Sequence, residues 1–372
     1  MINTPRFQLF AYSMILLACM AAAFFIYKAF EGMIVPDENI YIVQPPPQVK
    51  GEQVSVPQPK EDVTVIAVGD IMLGRYVETL MDKKGSTYPF EKISPLLQSA
   101  DLVIGNLEGP ITINHQQTPN NSLSFSFEPN SANILRQNNF DYVSLANNHT
   151  FDRGVNGYDN TVAVLKESGV SAFGHPLEID ERYLQSKSID GHKILFIGLN
   201  ATRPDFDQQE TTDIISNVSA EQDVFTIISI HWGSEYQTTS NQRQRDLAHA
   251  LIDRGADLIL GHHPHVTQEL ELYKDRLIVY SLGNFIFDQY FSEETQQGLA
   301  LSFTLKDGTV KYMLNPLASH QSQPELMDES DSQEWLNSLA QKSTTISQAN
   351  IEQGIVELLF DTEKKICPCQ SR

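Results

Sequence analysis

Half of the ten histidines in this 372-residue chain fall in short polar clusters, each placed directly after an apolar run. Asp70 follows the run 63–68, within Gly69-Asp70-Ile71-Met72-Leu73-Gly74-Arg75. Asn106 and Glu108 follow 102–104, and Asn147, Asn148, His149 and Asp152 follow 142–145. His231, Trp232 and Glu235 come after 224–230, His262, His263 and His265 after 258–260, and Asn284 after 277–280. Carboxylate, amide oxygen and imidazole together suit a hard-to-borderline divalent ion such as Mn²⁺, Zn²⁺ or Fe²⁺. The three cysteines, Cys19, Cys367 and Cys369, offer no ligand set, which argues against a structural zinc site. A catalytic ion among such residues polarises a phosphoryl or carbonyl oxygen and brings the pKa of its bound water near 7. A histidine not used as a ligand can then serve as general acid toward a leaving group.

Singly, each residue has a plainer role. An Asp after a strand caps the next helix, adjacent Asn residues suit a turn, and His231 beside Trp232 suits a core imidazole. Arg75 reads as an anion contact or as a solvated loop arginine. His115, His175, His192, His249 and His320 lie outside the clusters and are expected to be structural or surface residues. The placement of the clusters carries more than their members do. In open α/β sheets ligands bind beyond the carboxyl ends of the strands, so clusters at six such ends converge on one place.

The elements that position them follow from periodicity. Short β-branched runs alternate with stretches of helical spacing, such as 161–168 and 243–254, which reads as an α/β fold with strands buried on both faces. The runs 299–305 and 310–314 form a closing hairpin around Asp307-Gly308. From about residue 320 the chain turns Gln- and Ser-rich, and 321–372 is expected as a polar extension that packs peripherally through 355–360.

A formal net charge of -21 excludes a broad nucleic-acid-binding surface. Residues 7–27 carry no charge and are long enough to cross a bilayer, so 1–30 is expected to be a single-pass anchor. Arg6 precedes it, and Glu31, Asp37 and Glu38 follow soon after Lys28, which places the N-terminus in the cytoplasm and the rest outside. A cleaved signal using Ala21, Ala22 and Ala23, or a lipoprotein signal ending at Cys19, are the alternatives. The Pro-rich stretch 31–61 reads as a semi-rigid linker, and 62–320 as the functional domain.

The motifs Gly-Asp-x-Met-x-Gly, Asn-Leu-Glu-Gly, Ala-Asn-Asn-His-x-x-Asp-x-Gly, His-Trp-Gly-x-Glu, Gly-His-His-Pro-His and Ser-Leu-Gly-Asn-Phe occur in that order over about 62–320. Together they resemble the CapA family of bacterial capsule and poly-γ-glutamate synthesis, itself similar to calcineurin-like metallophosphoesterases. The resemblance implies a layered sandwich of mixed β-sheets flanked by helices. It implies a centre of one or two ions held by Asp70, Asn106, Glu108, Asn148, His231, His263 and His265. On it, His149 is the candidate general acid oriented by Asp152, with Glu235 a further catalytic candidate. Arg75, Asn147, Trp232, His262 and Asn284 are the candidate substrate contacts. Two departures from the wider superfamily stand out: Met72 replaces the histidine of an Asp-x-His pair, and Asn106-Leu107-Glu108 replaces its second Asp motif. They put a two-ion centre and ordinary phosphatase activity in question.

The resemblance implies a membrane-anchored hydrolase acting on a phosphoester or an anionic polymer, beside the other subunits of a polymer synthesis complex. The alternative is a non-catalytic subunit that guides the polymer, since kinship of fold does not fix chemistry.

Overall fold

The computed structural model describes residues 62–219, 224–306 and 308–359. The expected membrane anchor at 1–30 and the linker at 31–61 lie outside them, and among the described residues no helix is long and apolar enough to cross a membrane.

Strands β1 (Val63–Ile71), β2 (Leu102–Leu107), β3 (Phe140–Ser144) and β4 (Ser171–Phe173) run parallel and open the first sheet. The chain then builds a second sheet from β5 (Gln185–Ile189), β6 (His192–Asn200), β7 (Val224–His231), β8 (Leu258–His262), β9 (Leu270–Tyr273) and β10 (Arg276–Val279), in the order β5-β6-β7-β8-β10-β9. Its central strands β6, β7, β8 and β10 are parallel, and the outer two are antiparallel. The remaining strands return to the first sheet: β11 (Asn284–Ile286), β12 (Gln297–Lys306), β13 (Thr309–His320), β14 (Gln323–Leu326) and β15 (Ile355–Leu359). Mixed sheets flanked by helices are therefore what the chain forms. The expected hairpin is β12–β13, with Lys306 paired to Thr309.

Alternation along each strand explains the layers. Val63, Val65 and Ala67 of β1 face a core shared with Phe225 and Ile227 of β7 and Leu258 and Leu260 of β8. The intervening Ile66 and Val68 face the opposite side, with Val77 and Met81 of the helix Arg75–Lys84. On the second sheet Ile228, Ile230 and Ile259 likewise face Leu247, Ala248 and Leu251 of the helix Gln242–Asp253. Both faces of the strands are dry, which is why they read as continuous apolar runs. The helix Gln242–Asp253 starts at a capping box: Asn241 Oδ1 accepts Gln244 N–H at 2.9 Å and Gln244 Oε1 accepts Asn241 N–H at 3.0 Å.

The segment after 320 is more than a peripheral extension. Leu336 and Leu339 of the helix Glu329–Lys342, with Ile351 and Val356, enter the core between the sheets. Strand β15 pairs with β13 from Thr309↔Leu359 to Met313↔Ile355. The composition was polar because one face of each element remains wet; the buried stripe is short.

Candidate metal centre

The carboxyl ends of strands from both sheets meet. Asp70 ends β1 in register with Asn106 of β2 and Asn284 of β11, and His231 ends β7 in register with His262 of β8. Gly69 permits the approach: a Cβ there would stand 1.9 Å from Gly283 O, the carbonyl that accepts Asp70 N–H at 3.1 Å. A Cβ on Gly261 would likewise lie 1.9 Å from Tyr280 O. His263 and His265 both take positive φ, 94° and 59°, a strained backbone that recurs at functional sites.

Asp70, Glu108 and His265 each offer one ligand atom, all within 4.8 Å of one another, and all three residues are buried. A second such group, Glu235, His263 and His265, shares His265 with the first. Asp70 is surrounded by donors. Its Oδ1 accepts Asn106 Nδ2 at 2.8 Å and lies 3.1 Å from His262 Nδ1, and its Oδ2 accepts His263 N–H at 3.2 Å. Burial pushes its pKa up, but His262 and His265 outweigh that and hold the carboxyl well below its usual range. Glu108 goes the other way, raised well above the usual range by burial and by the nearby Asp70. Burial also holds His231 and His263 down as neutral imidazoles, His263 to about 4.

His149 stands at the edge of this group, half-buried. Its Nδ1 lies 2.8 Å from Asp152 Oδ2 and its Nε2 lies 3.9 Å from Glu108 Oε1. Phe125 stacks on the ring at 4.1 Å between centroids. Asn148 and His231 come together at 2.7 Å, Oδ1 to Nε2, so that a loop of one sheet touches a strand of the other. His231 is in neither ligand group, although its ring lies 4.8 Å from that of His263.

Several expected roles change. Asn106, expected as a ligand, turns its amide nitrogen toward Asp70, and its oxygen accepts Asn147 Nδ2 at 3.0 Å, so it holds that carboxylate in place. The five residues expected to meet a substrate are all buried, from Asn147 at 0% exposure to Arg75 at 8%. Trp232 donates its indole N–H to Tyr280 O at 2.9 Å and packs in the core. Asn147 spends both ends of its amide on Asn106, Leu107, His149 and Thr150. Asn284 Oδ1 lies 3.0 Å from His265 Nδ1, and His262 faces Asp70; both act on ligand candidates. Arg75 pairs with Asp288 and lies over the rings of Phe125 and Phe287, at 4.9 and 5.4 Å. Phe125 and Asp288 were not foreseen. Asp288 lies just past the Ser281–Phe285 motif, a proximity that was visible; Phe125 carried no signal.

The donor set fits a divalent ion. Glu108 Oε1 and His263 Nδ1 are both buried without a hydrogen-bond partner among the described residues. Such atoms cost about 1–3 kcal/mol each when left bare, more if charged. An ion in the first group would satisfy Glu108 and one in the second His263, and the neutral imidazoles are already in the ligating form.

A family model described as "Bacterial capsule synthesis protein PGA_cap" matches residues 64–289. The PGA biosynthesis protein CapA of Bacillus subtilis is 32% identical over 274 residues, covering 69% of this chain and 72% of that one. The capsule biosynthesis protein CapA of Bacillus anthracis is 31% identical over 286 residues, covering 71% and 69%. Among solved structures, a purple acid phosphatase from yellow lupin seeds aligns at 12% identity over 74% of this chain and 55% of that one. Its TM-score of 0.36 is too low to carry an argument.

Proposed function

The chain belongs to the bacterial capsule synthesis protein PGA_cap family, and within it we propose a metal-dependent hydrolase, of phosphoesterase type, that serves capsule or poly-γ-glutamate synthesis. The observation that carries the reading is the charge left unbalanced at the centre. Asp70 and Glu108 are fully buried side by side, and Glu108 Oε1, with His265 Nε2 3.6 Å away, has no hydrogen-bond partner among the described residues. A cation supplies what the protein leaves out there.

Asp70, Glu108 and His265 would hold the ion, a first-row divalent such as Mn²⁺, Zn²⁺ or Fe²⁺, with Glu235 and His263 extending the site toward solvent. Two groups sharing His265 allow for one ion or two. When bound, the ion supplies Lewis acidity to a phosphoryl or carbonyl oxygen and an acidified water. Asn106 and His262 fix the Asp70 carboxylate, and Asn284 fixes His265. With Asp152 beside Nδ1, His149 turns Nε2 toward the centre, where its imidazolium form would carry the proton for a leaving group. Phe125 covers one face of that ring and limits water around it.

The apolar run 7–27, with its flanking charges, supports an anchor in the cell membrane and an extracytoplasmic domain, where other polymer synthesis subunits would be its partners.

Turnover of bis(p-nitrophenyl) phosphate and of γ-glutamyl-p-nitroanilide by the full-length, manganese-replete protein tests the proposal. Hydrolysis of either, lowered about 10²–10⁴-fold in His149→Ala, is expected. Metal bound with neither compound hydrolysed would favour the polymer-guiding role.

A further inference from the structure

A second cluster of metal-ligating side chains shares no residue with the centre. Glu78 on the helix Arg75–Lys84, and His115 and Glu128 on the connection between β2 and β3, each offer a ligand atom within 4.8 Å of the others. His115 was expected to be a structural or surface residue. Its Nε2 instead lies 2.7 Å from Glu78 Oε1, while its Nδ1 lies 2.9 Å from Ser126 Oγ. Ser126 Oγ is in turn 2.8 Å from Thr112 Oγ1. A ring steadied through one nitrogen and presenting the other to a carboxylate is how ligating histidines are held.

Glu78 is the more telling member. It is 4% exposed, yet its Oε2 has no hydrogen-bond partner among the described residues. The one ion-pair partner found for it among those residues is His115, which is charged only when protonated. Burial raises the Glu78 pKa against the pull of His115, and the neighbouring Glu128 and Asp82 add to the rise. Two carboxylates and one imidazole are ligands for Zn²⁺ or Mn²⁺; the imidazole disfavours Mg²⁺ and Ca²⁺.

We propose that Glu78, His115 and Glu128 hold a further divalent cation, Zn²⁺ or Mn²⁺, that clips the β2–β3 connection to the helix Arg75–Lys84. The clip has a consequence at the centre. The connection carries Phe125, the residue before Ser126, and Phe125 stacks on His149 and donates its N–H to Asp152 Oδ2 at 2.6 Å. Cation binding thus steadies one wall around His149 without touching it.

Calorimetric titration of Zn²⁺ into the chelator-treated, full-length His265→Ala protein tests this, because both central groups lose their shared ligand there and this one is intact. One equivalent is expected, with affinity reduced at least about tenfold by adding Glu128→Ala and about 10–100-fold by adding Ser126→Ala. Zinc is also expected to slow proteolysis within 110–130. If His265→Ala does not fold, wild type compared with Glu128→Ala, an exposed position, should still differ by one equivalent. That comparison also stands if the central site proves to hold no metal. No zinc uptake would overturn the proposal and leave a proton shared between Glu78 and His115. Uptake unchanged by both Glu128→Ala and Ser126→Ala would overturn it as adventitious surface binding.

Discussion

Asp152 Oδ2 lies 2.8 Å from His149 Nδ1 and accepts the Phe125 N–H at 2.6 Å, so one oxygen fixes both the proton position and the stacking partner of the ring. Replacing it therefore acts on orientation before chemistry. Asp152→Asn should lower kcat about tenfold with KM little changed, whereas His149→Ala should cost about 10²–10⁴. Steady-state kinetics on whichever compound is hydrolysed would check the split; equal losses would mean that Asp152 does more than orient.

Asn284 is buried, and its Oδ1 lies 3.0 Å from His265 Nδ1. Outer partners of ligating histidines are worth about 10–100-fold in metal affinity. Asn284→Ala should weaken metal binding by that factor in a competitive chelator titration, with the circular dichroism spectrum unchanged.

Acid should destabilise the chelated protein through its neutral imidazoles. Burial, followed by the nearby His265, holds His263 at about 4 when folded, against 6.5 for an ordinary imidazole. Between those values the unfolded chain binds a proton that the native state refuses, so stability is lost as pH falls through that window. His263→Gln should flatten the pH dependence of the urea midpoint between pH 6.5 and 4. An unchanged slope would place the proton uptake elsewhere.

Glu108 has the opposite sign. Its folded pKa is raised by burial and Asp70, so the contribution is favourable at low pH and is lost as pH rises through the folded value. In chelated protein at pH 7, Glu108→Gln should accordingly raise Tm. In wild type, metal at 100 times its Kd should add about 2.7 kcal/mol of stability, and Glu108→Gln should abolish most of that increment. Differential scanning calorimetry with and without metal reads both effects.

The junction of β1 with β11 leaves no room for a side chain at Gly69, where a Cβ would be 1.9 Å from Gly283 O. Gly69→Ala should cost about 1–3 kcal/mol or more by overpacking, seen as a lower urea midpoint at constant m.

Strands buried on both faces could be read from the sequence because nothing charged interrupts their apolar runs; β1, β7 and β8 are of this kind. The edge strand β5, Gln-Ser-Lys-Ser-Ile with its middle exposed, offered no such run and went unseen. The meeting of Asp70, Glu108 and His265 was legible because polar residues follow directly on buried strands at the ends where ligands collect. What each neighbour does was less legible. Trp232, Asn147 and Asn284 look like binding groups in sequence, and only tertiary burial commits their polar atoms to other protein groups. Phe125 reaches His149 from a long connection, and neither spacing nor periodicity marks such a contact.

Anomalous diffraction at the manganese or zinc edge, from crystals of metal-replete full-length protein, would test the centre most directly. An ion should appear about 2.0–2.3 Å from an oxygen of Asp70 and a nitrogen of His265, and should vanish from that position in Asp70→Asn. Metal-replete protein with no peak between Asp70, Glu108 and His265 would contradict the metal centre and leave the two buried carboxylates to be explained by a shared proton.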